Sequence, residues 1–149
     1  MRKPFAFAAL ALAMSAVPVV AQQSPNTTPT TVSRIVLVRV KPGHGDAFWQ
    51  DVRQHLKPIY DEEKRLGVIA DYGFFTKSTT ENENDWGVGI AITYNNWGTI
   101  DSLTARTDPI TLAHYGSAAN RTAANNARTE HSTVVSSFLI RNQTVNPWK

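Results

Sequence analysis

The chain has 149 residues, no cysteine, 15 lysines and arginines against 12 aspartates and glutamates, and a formal charge of +3. Without cysteine it has no disulfide staple and no thiolate chemistry, so its fold rests on its own core or on a partner subunit. Its basic residues form no cluster, so it lacks the electrostatic footprint of a phosphate-backbone binder and no nucleic-acid partner is expected.

Arg2 and Lys3 precede an apolar run from Phe5 to Val17, closed by Pro18-Val19-Val20-Ala21. This is the order of a signal peptide with small residues at its cleavage positions. Cleavage is expected after Ala21, which gives a periplasmic or secreted protein. The run is short for a spanning helix and is broken by Pro18, so no membrane association is expected after cleavage. Loss of Arg2 and Lys3 leaves 13 basic against 12 acidic residues. Residues 22–31 (QQSPNTTPTT) hold no aliphatic side chain and are expected to be a flexible linker.

Arg34–Val40 (RIVLVRV) is a β-branched run ended by Lys41-Pro42-Gly43, which predicts a strand and then a turn. Its apolar residues fall on both faces, so both faces should be covered. From Asp46 to Leu66 the period becomes helical. Phe48, Val52, Leu56, Ile59 and Leu66 share one stripe, Gly67 is placed to end the helix, and Pro58 should distort it. Val68–Thr76 and Trp86–Tyr94 predict two further strands joined by a polar loop. In the second, Trp86, Val88, Ile90, Ile92 and Tyr94 alternate with Gly87, Gly89, Ala91 and Thr93, and so nearly bare a face on a close neighbour. A second helical region opens at Asn95-Asn96. It is expected to break at Asp108-Pro109, with Asp108 as N-cap, and to resume to about Arg128. Ser132–Arg141 predicts the last strand, and 142–149 a tail.

The order β-α-β-β-α-β over residues 32–141 predicts an α+β, ferredoxin-like domain: a four-stranded antiparallel sheet with its helices on one face. The economical cover for the other face is a second copy of the same sheet, so a homodimer forming an α/β barrel is expected. Val40-Lys41-Pro42-Gly43, then Phe48-Trp49 on the opening turn of a helix, then a hairpin, resembles the dimeric α/β-barrel superfamily, including its antibiotic-biosynthesis monooxygenase-like and NIPSNAP-like members. The resemblance covers roughly Val32 to Arg141 as element order. It implies a dimeric barrel with a pocket between sheet and helices. Several members oxidise aromatic substrates without metal or cofactor, and others bind or degrade haem. No Asn/Trp/His triad of the haem-degrading members aligns here, so neither activity carries over.

Of four histidines, His44 and His131 lie beside a turn and a strand entry and are expected to be exposed. His55 and His114 are the candidates for catalysis, although helix positions that face solvent also carry such residues. Tyr72, Trp86, Tyr94 and Tyr115 are the candidates for gripping a flat, partly aromatic ligand, and equally for filling the core. The histidine spacing fits no metal site, and no cofactor motif is present, so neither is expected. Asp61-Glu62-Glu63 reads as helix surface rather than a carboxylate pair, because consecutive positions diverge. The functions consistent with this pattern are a small-molecule binder, a cofactor-independent oxygenase or isomerase acting on an aromatic substrate, and a non-catalytic interaction module.

Overall fold

The computed structural model describes residues 26–79 and 81–147. The expected signal peptide, linker residues 22–25 and tail residues 148–149 lie outside them. Strand β1 (Thr27–Val40) leads into α1 (Gly45–Asp51), a π-helical turn (Val52–Leu56) and α2 (Lys57–Arg65). The hairpin β2 (Asp71–Thr76) and β3 (Val88–Tyr94) follows, then α3 (Gly98–Asp101), α4 (Leu103–Tyr115), α5 (Ala118–His131) and β4 (Ser132–Val145). The strands lie in the order β2-β3-β1-β4, and every neighbouring pair is antiparallel.

The register separates the two faces. Val32, Arg34, Val36 and Val38 pair with Tyr94, Ile92, Ile90 and Val88, and most of these side chains join Phe48, Val52, Ile59 and Ile110 of the helices in the core. The alternate set, Ile35, Leu37, Phe75, Ala91, Phe138 and Ile140, shares the opposite face, which no helix among the described residues covers. There Phe75, Phe138 and Ile140 remain exposed. The bare side of β3 does receive a close neighbour: a Cβ on Gly89 would lie 2.0 Å from the Phe75 ring, so β2 supplies the missing bulk.

Pro58 acts on the helix as its chemistry requires. It has no N–H for the Gln54 carbonyl, and just before it the Lys57 N–H donates to the Val52 carbonyl. The register thus steps by one residue in a π turn, a recognised way to absorb a lost helical bond. Gly67, with φ +67°, ends α2 as expected.

Several boundaries differ from the sequence reading. Strand β1 begins inside the expected linker and β4 extends into the expected tail as far as Val145, because Thr27, Thr28 and Pro29 pair with Val145, Thr144 and Gln143. Backbone pairing between two long strands holds these polar segments without needing apolar side chains. Val68 and Ile69 lie outside β2 yet are buried, with both N–H groups donating to the Glu63 carbonyl. Leu66 caps α2 and is exposed rather than core. The break expected at Asp108-Pro109 is absent. Helix α4 continues through Pro109 and stops at Gly116, whose φ is +74°, after which Ser117 accepts the Asn120 N–H at 3.1 Å and starts α5. Asp108 does not cap a helix; it accepts from Arg121 at 2.9 Å.

Candidate functional site

Between the sheet and the helices lie two adjoining cavities that share Leu56, Tyr60, Asn125 and Arg128. One, of about 440 Å³, is bounded by Val36, Val38, Phe48 and Ile90 and is apolar. The other, of about 520 Å³, is polar and brings together Arg34 from β1, Glu63 from α2, Tyr94 from β3 and Tyr115 from α4. They lie on either side of this shared wall, and together they form an amphipathic cleft region, each half within the size range of small-molecule pockets.

The charges of the polar half are not all neutralised internally. Arg128 of α5 donates to both Asp51 carboxylate oxygens, at 2.7 and 3.1 Å, and its guanidinium also meets the Tyr115 hydroxyl at 3.3 Å. Arg121 is held by Asp108 at 2.9 Å and Thr111 at 3.1 Å. Arg34 and Glu63 differ: neither side chain has a hydrogen-bond or ion-pair partner among the described residues. Glu63 is only 5% exposed, and burial pushes its carboxyl up to about 7. Tyr60 is pushed up to about 12 by burial, reinforced by Glu63, and burial likewise raises Tyr94. A carboxyl that changes charge near neutrality, in a chamber that also holds neutral phenols and an unpaired guanidinium, can exchange a proton with whatever occupies the cleft.

Of the residues singled out in the sequence, Tyr94 and Tyr115 line the polar half. His55 and His114 meet each other: Nδ1 of one lies 3.0 Å from Nε2 of the other, joining the π turn to α4. The Tyr115 ring lies 5.2 Å from that of His55, so the pair stands behind the cleft wall. Burial, and then the neighbouring His55, hold His114 below its ordinary pKa. Tyr72 is outside the cleft and donates to Asp61 at 2.5 Å. Trp86 also lies elsewhere, edge-on to Phe75 with the Lys77 ammonium 5.5 Å from its ring. His131 is buried, not exposed as expected, because α5 continues to that residue and packs its ring 6.0 Å from Phe48. Among the described residues no three histidine or carboxylate side chains gather as a metal site would require.

Arg34, Tyr60, Glu63 and Arg128 were missed as site residues, yet two left a signal. Glu63 falls four residues after Ile59 on the apolar stripe, and Arg34 shares the face of β1 that carries Val32, Val36 and Val38. In each case a charge stands where a hydrophobe would serve the core.

Element order, sheet order and the one-sided helices define an α+β domain of ferredoxin-like fold. The sequence matches no protein-family model and no curated protein. The structure is similar to that of HapK from Hahella chejuensis, with a TM-score of 0.50 and 12% identity, over 79% of this chain and 97% of that one. It is less similar to a dimeric protein of unknown function and ferredoxin-like fold from Bacteroides fragilis NCTC 9343 (TM-score 0.43, 12% identity, 76% and 96% of the two chains). A dimeric ferredoxin-like protein from an uncultured marine organism is similarly distant (TM-score 0.43, 10% identity, 82% and 99%).

Proposed function

We propose that the chain is an exported, homodimeric α/β-barrel domain that binds a small, partly aromatic molecule in the cleft between sheet and helices. The observation that carries this reading is the placement of an apolar chamber next to a polar one that holds an unpaired arginine and an unpaired carboxyl. A flat apolar body fits the first, and an oxygen-bearing head group fits the second. Export rests on the charged, then apolar, then small-residue order of the first 21 residues. N-terminal sequencing of envelope-fraction protein should begin at Gln22.

Binding is tested by thermal-shift screening with aromatic acids, phenols and aryl ketones. A ligand at a hundred times its Kd should stabilise the fold by ~2.7 kcal/mol, and Arg34→Leu should weaken its binding about tenfold or more, as loss of a charged hydrogen bond does. Absence of any stabilising compound would favour a non-catalytic interaction module.

A further inference from the structure

The charges of the polar chamber divide into two groups. Arg121 is satisfied by Asp108, and Arg128 by Asp51 and the Tyr115 hydroxyl. Arg34 on β1 and Glu63 on α2 line the same chamber without pairing. Leaving a nearly buried carboxyl and a guanidinium of the same chamber unpaired costs stability, so the arrangement has the form of a site waiting for a third group. The other ionisable neighbours, Tyr60 and Tyr94, are phenols that burial keeps neutral.

We propose that Glu63 is a catalytic base that removes a proton from the carbon next to a carbonyl in a bound aryl or cyclic ketone, with Arg34 facing the carbonyl oxygen. A Glu63 carboxylate oxygen forms a bond to the proton, and the C–H electron pair becomes the C=C of an enolate. The carbonyl π pair moves to oxygen, where the guanidinium offsets the new negative charge. Neutral Glu63 then either trades its proton with solvent and returns the solvent's to the same carbon, giving exchange, or delivers a proton to a conjugated carbon, giving the isomer. Nothing is oxidised or reduced and no co-reactant is needed. The proposal rests on the cleft being a small-molecule site, and it adds the substrate class and the reaction.

The test uses 2-indanone and 2-tetralone with the purified protein in D2O, following loss of the α-CH signals by proton NMR and binding by thermal shift. The native protein should accelerate exchange at least about a hundredfold over buffer, and the rate should fall as pH drops through about 7, where Glu63 takes up a proton. Glu63→Gln should still bind the ketones and melt cooperatively but lose the acceleration, and Glu63→Asp should recover part of it. Arg34→Gln should slow exchange while leaving the pH at which the rate falls in place. Ketones that bind but exchange no faster than in buffer, or exchange as fast with Glu63→Gln as with the native protein, overturn the proton transfer and leave the binding reading standing. If neither ketone binds, the reaction is overturned and the ligand lies outside this class, which the aromatic-acid arm of the screen then addresses.

Discussion

Glu63 couples the cleft to stability. Its carboxyl titrates near 4.5 when unfolded and at about 7 in the folded protein, so between those values only the native state holds the proton. This contribution to stability is fully present below about 4.5 and is lost as pH rises through about 7. At about 1.4 kcal/mol per unit, the loss amounts to about 3 kcal/mol at pH 8. Glu63→Gln should recover much of that at pH 8 and flatten the slope in urea titrations; an unchanged slope would show that the carboxyl is better solvated than its burial implies. The histidine pair acts in the opposite sense. His114 is held below the ordinary histidine value of 6.5, so its contribution is present above about 6.5 and is lost as pH falls through its lower folded value. His114→Phe, which keeps a ring beside His55 and Tyr115, should remove this acid-side loss, as read from amide exchange in the last turn of α4. Both histidines were legible as candidates from their helical positions. Their contact was not, because it joins residues 59 positions apart.

Among the elements, the hairpin and the first helix show how local rules and neighbours divide the outcome. The bare side of β3 could be read directly from the alternation of glycine and alanine with large residues. What fills it depended on the register of β2, which sets Phe75 opposite Gly89. Gly89→Ala would place a methyl group inside the Phe75 ring and drive that ring toward solvent, which should cost about 1 kcal/mol or more. Phe75→Ala should then cost less in the Gly89→Ala background than in the native one, and urea unfolding of the four proteins measures that coupling. Strict additivity would mean that the ring does not rely on the glycine. In the first helix, Pro58 announced a distortion, and the π turn is its form. The opposite error arose at Pro109, where a strong start signal was overridden: Ile110 is buried in the core and Asp108 is engaged by Arg121, so α4 continues to Gly116.

At the scale of the whole molecule, the uncovered face of the sheet is apolar from β2 across to β4. Beyond the end of β3, the ends of β1 and β4 continue as a two-stranded ribbon at Thr27–Pro29 and Gln143–Val145. A ribbon of two strands is marginal alone in water, and an apolar sheet face seeks cover. A second copy, related by a twofold axis, offers both faces the same complementary surface. Light scattering at micromolar concentration should therefore report a dimer, and Phe138→Glu, which puts a charge on that face, should yield a monomer whose helix content is retained. A native protein that is a folded monomer would refute this assembly.

Sequence by itself determined the order of elements, the antiparallel ferredoxin-like sheet and its two-sided greasiness, because strand alternation, helical period and turn glycines act over a few residues. Tertiary structure decided that polar chain ends join the sheet, that His55 meets His114, and that Arg34 and Glu63 face one cleft unpaired. Those outcomes depend on which distant backbones lie side by side. A charge on an apolar stripe marks an exception without naming its partner, and only the packing of sheet against helices shows that for Arg34 and Glu63 the described chain provides none.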